Sequence, residues 1–274
     1  LNINTTTYVG WNWKAGGAPT ADNDNAAGAV PDLGSVMIDG VASTAALAGT
    51  IPAIRLSANT TSGFSIVEWE GTQANGTVAH GLGVAPDLII AKDLESGAAW
   101  RVGSDSIPTA WEYVMYLNQT PGATDENTAF NDSPPTSSLF HLGASEDINT
   151  SGNKIVAYCF NSIEGYSKVG SYTGNGDADG TFIYTGFEPA FVMFKKYAGG
   201  TDSWEIIDNK RPGYNVSDKG LFPNTSAVEA SSRGGDLVSN GVKLRFVNGT
   251  TNQSSCDYIY LAFAESPFKY SNAR

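Results

Sequence analysis

Segments of this chain recur at a nearly constant distance, and that self-similarity constrains the fold more than any other feature. Gly63-Phe64-Ser65 returns as Gly165-Tyr166-Ser167, and Gly76-Thr77 as Gly180-Thr181. Gly83, Pro86 and Lys92 return as Gly186, Pro189 and Lys195. Trp100 returns as Trp204, and the run Ala157-Tyr158-Cys159-Phe160 as Tyr260-Leu261-Ala262-Phe263. The offsets stay between 102 and 104, whereas chance matches would scatter. The chain therefore divides into an N-terminal stretch, 1–62, and two diverged copies of a unit of about 103 residues, 63–164 and 165–274.

Each copy reads as seven short strands rich in Val, Ile, Tyr, Phe and Trp, bounded by Gly, Asn, Asp or Pro. The first copy predicts strands near Phe64–Trp69, Thr77–His80, Asp87–Asp93, Trp100–Gly103, Tyr113–Leu117, Leu139–Leu142 and Lys154–Phe160. The second predicts Ser167–Tyr172, Thr181–Tyr184, Ala190–Tyr197, Trp204–Asp208, Lys219–Phe222, Val242–Phe246 and Tyr258–Phe263. Val242-Lys243-Leu244-Arg245-Phe246 alternates, so one of its faces is wet, while Asp87-Leu88-Ile89-Ile90-Ala91 suits a strand buried on both faces. No segment holds a helical period with caps. The expected fold is all-β: two tandem, jelly-roll-like β-sandwich units.

Tyr8–Lys14 resembles Ile155–Asn161, the end of the first copy, and so predicts an N-terminal strand belonging to an upstream unit. With Leu1 in first place, the chain reads as a fragment or processed product. Residues 15–62 contain no aromatic residue and predict an ordered but irregular linker, with one strand over Ile51–Ser57.

Composition narrows the partners. With 16 Lys+Arg against 28 Asp+Glu the net charge is −12, and the nearest thing to a basic run is Lys195-Lys196. Nucleic-acid binding needs a basic patch to displace counterions, and an anionic membrane repels this balance. No apolar stretch approaches the roughly twenty residues that span a bilayer. Charged residues are only 16% of the chain, which leaves neutral glycans and proteins as partners. Cys159 and Cys256 read as packed thiols before a disulfide, with the pairing open.

No chemistry is legible in the titratable residues. His80 and His141 lie in no metal-ligand spacing, and His80 reads as a loop residue in a Gly-rich turn. Asn175, Asp177 and Asp179 alternate like the start of a calcium loop but lack the distal Glu, so a solvated turn is the better reading, as for Asp22–Asn25. There is no Gly-x-Ser-x-Gly elbow. No catalytic residue, metal site or cofactor is therefore assigned. Aromatics kept in both copies read as shared core: Trp100 and Trp204, with Tyr158, Phe160 and Phe263. Trp111 and Tyr214, which follow Pro108 and Pro212 in loops, are the candidate exposed platforms for glycan or receptor.

Several long stretches add a resemblance: Tyr8–Gly17, His80–Pro86, Glu164–Gly176 and Ala264–Arg274, ending in Pro267-Phe268-Lys269-Tyr270-Ser271-Asn272-Ala273-Arg274. Together they resemble a C-terminal domain of large tail or fibre-like virion proteins of marine bacteriophages and related environmental viruses. The resemblance implies a virion component and offers no catalytic residue to transfer, and with no chemistry legible in the chain the expectation is a non-enzymatic domain of the extracellular virion surface, a tail-fibre or receptor-binding domain adsorbing to host glycan or protein. The charge-poor surface, the N-terminal strand without its own unit and the long linker predict a homo-oligomer, a trimer first, in contact with other virion proteins. A capsid decoration or head-fibre protein and a polysaccharide-degrading enzyme are the alternatives.

Overall fold

The computed structural model describes residues 8–211 and 215–267. Among the described residues the fold is all-β apart from one four-residue helix. Three strands come before the first copy: β1 (Val36–Ile38), β2 (Val41–Ala42) and β3 (Ala53–Asn59). There follow β4 (Phe64–Glu70), β5 (Gly76–Ala79), β6 (Leu88–Asp93), β7 (Arg101–Ser104), β8 (Tyr113–Tyr116) and β9 (Thr124–Asp125). Helix α1 (Asn127–Phe130) leads to β10 (Leu139–Leu142) and β11 (Lys154–Phe160). The remainder forms β12 (Ser167–Thr173), β13 (Phe182–Tyr184), β14 (Pro189–Ala198), β15 (Glu205–Asp208), β16 (Gly235–Val238), β17 (Gly241–Leu244) and β18 (Asp257–Ala264).

These strands make four sheets, ordered β2-β1-β3-β4-β11-β6-β7-β8-β9, β10-β5, β12-β18-β14-β15 and β13-β17-β16. Every named pairing is antiparallel except β1 with β3. The run β4-β11-β6-β7 has the order of β12-β18-β14-β15. Register matches as well: Phe160 lies opposite Phe64 and Leu88, and Phe263, 103 positions on, opposite Ser167 and Phe191.

Strand alternation sorts the apolar side chains into three cores. Ile155, Ala157 and Cys159 of β11, with Ile89, Ala91 and Trp69, face Val78, Phe140 and Leu142 of the small β10-β5 sheet. On the opposite face, Phe64, Leu88, Ile90 and Phe160 meet Phe191, Met193, Ile259, Leu261 and Phe263 of the four-stranded sheet. The far side of that sheet, with Val192, Phe194, Tyr260 and Ala262, closes on Ile183, Leu237, Val242 and Leu244. The result is four stacked layers, with the two larger sheets packed face to face in the middle. Leu88–Ala91 is buried on both faces, as its unbroken apolar run requires.

Several expectations are corrected. Residues 15–62 are not simply an irregular linker, because β1, β2 and β3 extend the large sheet beyond β4. Tyr8–Lys14 forms no strand. Its aromatic spacing instead places Trp11 and Trp13 in the central core, where Trp13 meets Phe191 at 5.6 Å and Phe263 at 5.5 Å, both edge-on. Lys219–Phe222 makes only isolated bridges, and the strand pairing β17 is Gly235–Val238. Trp204 is 1% exposed, but Trp100 is only half-buried, stacked on the half-buried Tyr158 at 6.4 Å. Phe160 and Phe263 are buried as expected. Both cysteines are free, buried thiols.

His80 lies just past β5 in the turn ahead of Gly81, as expected, but it is not a solvated loop side chain. It is fully buried, its Nδ1 accepts from the Leu82 N–H at 3.2 Å, and its Nε2 lies 3.1 Å from the Thr136 carbonyl. The pattern assigns a neutral ring with its proton on Nε2. Burial lowers its pKa.

Candidate functional site

Two residues, Trp111 and Tyr214, are expected to offer open rings. Tyr214 lies outside the described residues. Trp111 is 1% exposed, with its ring edge-on to Phe130 at 5.4 Å inside the first core. It cannot stack a sugar from there. Its backbone sits at φ +69°, in the left-handed region that bulky residues avoid, and Thr109 beside it sits at φ +54°. The buried indole thus anchors a bent loop from Asp105 to Glu112 and fixes the residues in front of it.

That loop forms one wall of an open groove of about 600 Å³. Ile107, Pro108, Thr109 and Tyr113 line this wall, and Tyr197 to Thr201 line the other. Gly122, Ala123 and Asp257 complete the lining. The second wall is the turn between β14 and β15, where Gly199 takes φ +87° and a Cβ would meet the Cys256 sulfur at 2.7 Å. Only glycine fits there.

The groove's base is where the two halves of the chain are tied together. Ala123 N–H donates to the Tyr197 carbonyl at 2.9 Å, and Asp202 N–H to the Thr120 carbonyl at 3.0 Å. Trp204 Nε1 donates to the Tyr116 carbonyl at 2.7 Å. Lys195, wholly buried, donates from Nζ to the carbonyls of Thr120 at 2.8 Å and Asp202 at 2.6 Å. Burial outweighs the nearby Asp202 charge and lowers its pKa to about 8. Such a tied base keeps the walls in place before any ligand arrives.

Tyr113 and Tyr197 are half-buried, each with part of the ring on the central core. Burial, and next the Asp257 carboxylate, raise the Tyr197 hydroxyl pKa. Asp257 accepts from Thr173 Oγ1 at 2.6 Å. Half-exposed rings beside a carboxylate and threonine hydroxyls make a surface that stacks on apolar sugar faces and bonds hydroxyl groups. The sequence signal for Tyr197 is its place ahead of Ala198-Gly199-Gly200, a strand end before a tight turn; Asp257 carries none.

Other polar clusters resolve into structure. Asn175, Asp177 and Asp179 form successive side-chain turns, with Asp177 N–H on Asn175 Oδ1 and Asp179 N–H on Asp177 Oδ1. The Asp22–Asn25 stretch is tied through Asp32, which accepts from the Asp24 N–H and the Asn25 side chain. Among the described residues no group of His, Cys, Asp and Glu is arranged to hold a metal ion. Asp87 and Asp105 are close enough to hydrogen-bond, and burial followed by the Asp87 charge raises the Asp105 pKa to about 6. Asp87 also accepts from the Ser162 N–H at 2.6 Å.

Four layers of β-sheet with an open groove beside the central pair describe a β-sandwich protein with a surface groove. The chain matches the family described as a domain of unknown function (DUF7483) over residues 34–267, and belongs to that family. No curated protein and no solved structure matches it.

Proposed function

We propose that this chain is a non-enzymatic binding domain of a virion surface fibre, and that it adsorbs to neutral host glycan through the groove between Tyr113 and Tyr197. The groove carries this reading: two half-exposed tyrosines face a carboxylate and hydroxyls across walls held by main-chain bonds. The charge-poor composition and the resemblance to tail and fibre proteins agree with it. The matching strand orders and registers support reading the molecule as two diverged sandwich units, with the groove at their junction. A single site of this kind binds sugars weakly, and display in several copies raises avidity by about 10²–10⁴.

The test is adsorption of the purified protein to host cells and to their isolated surface polysaccharide. Tyr113→Ala and Tyr197→Ala should each cut adsorption about tenfold or more while leaving the far-UV spectrum intact and the protein folded, with a lowered melting temperature, at the assay temperature. Unchanged adsorption in both variants would remove the groove from the mechanism. A second reading is polysaccharide cleavage, with Asp105 as the candidate acid because burial and the Asp87 charge raise its pKa to about 6. Release of reducing sugar by the wild type, lost in Asp105→Asn, would replace the binding reading with that one. Locating the chain in intact particles separates a tail fibre from a capsid decoration.

A further inference from the structure

The two halves differ in how one equivalent edge is finished. In the first half, β3 covers the outer edge of β4, with Leu56 opposite Val67 and Ser57 opposite Ile66. The same N-terminal stretch also covers β5, where the Thr50 and Ile51 N–H groups both donate to the Thr77 carbonyl at 3.0 Å. In the second half β12 and β13 hold the corresponding places, and each ends its sheet. On β13, Phe182 is 44% and Tyr184 58% exposed. Lys168 of β12 reaches Tyr184, donating to its carbonyl at 3.2 Å, so the two open edges lie side by side.

Natural edge strands are usually blunted by proline, a bulge, a charge or a cover. The β12 sequence, Ser-Lys-Val-Gly-Ser-Tyr-Thr, has only Lys168, and that side chain is turned onto Tyr184. Along β12 the even-numbered residues bond to β18, as the Ala264 N–H to the Tyr166 carbonyl and the Gly174 N–H to the Cys256 carbonyl show. Ser167, Val169, Ser171 and Thr173 therefore point their main-chain groups outward. Some of these are already satisfied: Ser167 bridges Ile163, Val169 N–H donates to Ser162 Oγ, and the Thr173 carbonyl accepts from Thr181 Oγ1. The Val169 carbonyl, the Ser171 N–H and carbonyl and the Thr173 N–H are left without partners among the described residues.

We propose that this edge pairs with the same edge of a second copy of the chain, antiparallel about a two-fold axis at Ser171. In that register Ser171 exchanges both its bonds with the other Ser171, and each Thr173 N–H meets the Val169 carbonyl across the axis. The groups already bonded within the chain, the Val169 N–H and the Thr173 carbonyl, are the ones that would face each other. Every free donor thus finds a free acceptor, which is the self-complementarity a two-fold interface requires. Lys168 falls opposite Gly174, so no like charges oppose each other along the strand. The paired edges bring Phe182 and Tyr184 of both copies alongside. This closes as a dimer rather than the trimer expected from the sequence, and it holds whether or not the groove binds glycan.

Sedimentation equilibrium between about 1 and 100 μM tests it, in salt that screens the −12 charge beyond about 8 Å. The wild type should be a dimer, with slow amide exchange at Ser171 and Thr173. Ser171→Pro removes the outward N–H and should give a monomer. Ser171→Lys and Ser171→Glu place like charges at the axis, so each alone should be monomeric, and an equimolar mixture should dimerise again. A wild-type monomer or trimer, a dimer that survives Ser171→Lys, or fast exchange of the wild-type Ser171 amide overturns the proposal.

Discussion

Glu205 sits wholly buried on β15, and counting protons around it fixes its ionisation. Thr250 Oγ1 contacts both Glu205 Oε2 and Asn248 Oδ1, the second at 2.6 Å. Asn248 Oδ1 is the acceptor of that amide, since the Thr251 N–H donates to it at 3.0 Å. One hydroxyl proton cannot serve two acceptors, so the chain of bonds closes if Glu205 is protonated and donates to Thr250, which donates to Asn248. Glu205 Oε1 has no hydrogen-bond partner, which a carboxylate would tolerate poorly. Burial accordingly raises its pKa from 4.5 to about 7, against the Thr250 bond and the Arg233 guanidinium 3.9 Å away. A raised folded pKa gives stability that is complete below about 4.5 and is lost as pH climbs through 7. Glu205→Gln, whose amide donates as the acid does, should melt like the wild type at pH 5 and several degrees higher at pH 8. Equal melting temperatures at pH 8 would mean the acid is not neutral. His80 acts in the opposite direction: its lowered pKa makes acid destabilising from about pH 6.5 downward. Neither role was legible in sequence, because burial depends on which strand faces which core. The aromatic positions show the same limit, since recurrence in both copies puts Trp204 in the core and a Pro-led loop puts Trp111 at the surface, while tertiary packing buries both.

At the scale of elements, strand periodicity was read well where Val, Ile, Phe and Tyr alternate, and poorly where Ala, Gly and Thr form strands through pairing alone. β3 shows both sides: a strand is expected over Ile51–Ser57 and lies at Ala53–Asn59, but the full burial of Ala53 and Ala58 comes from β4 beside them and has no local signal. The loops after β4 and β12 hide a shared device as well. Asn149 accepts the Thr72 N–H at 2.9 Å and donates to the Ala74 carbonyl at 2.8 Å. Asn252, 103 positions on, accepts the Asn175 N–H at 3.1 Å and donates to the Asp177 carbonyl at 2.8 Å. Both amides are fully buried. Asn149 makes one bond more, to the Gly143 carbonyl at 2.7 Å. Removing either takes these bonds from the main chain of its turn, at a cost of about 0.5–1.5 kcal/mol for each bond. In urea unfolding, Asn149→Ala should therefore lose at least as much stability as Asn252→Ala. A loss below about 0.5 kcal/mol in both would mean that water replaces the amides, and the shared device would be incidental.

At the scale of the molecule, the repeat suggested two units in tandem, each with its own core, but the central layer belongs to neither half alone. Phe64, Leu88, Ile90 and Phe160 from one side and Phe191, Leu261 and Phe263 from the other bury each other. Trp13 adds the N-terminal stretch by touching Phe160, Phe191 and Phe263 together. If either half opened, the other would expose a whole sheet face to water, at about 25 cal/mol for each Å² of apolar surface. The two halves should consequently unfold together. The chain carries a reporter in each, since Cys159 lies in the first outer core and Cys256 is buried beside β18. Burial raises the Cys159 thiol pKa to about 12, so it stays unreactive until its sheet opens. Thiol labelling along a urea series, read separately for each cysteine by peptide mass, should give one midpoint, coincident with the loss of tryptophan fluorescence. Phe263→Ala, which lies on the second half's side of the central core, should then move the Cys159 midpoint as far as the Cys256 midpoint. Two separated midpoints, or a shift confined to Cys256, would show that the halves are independent sandwiches merely in contact.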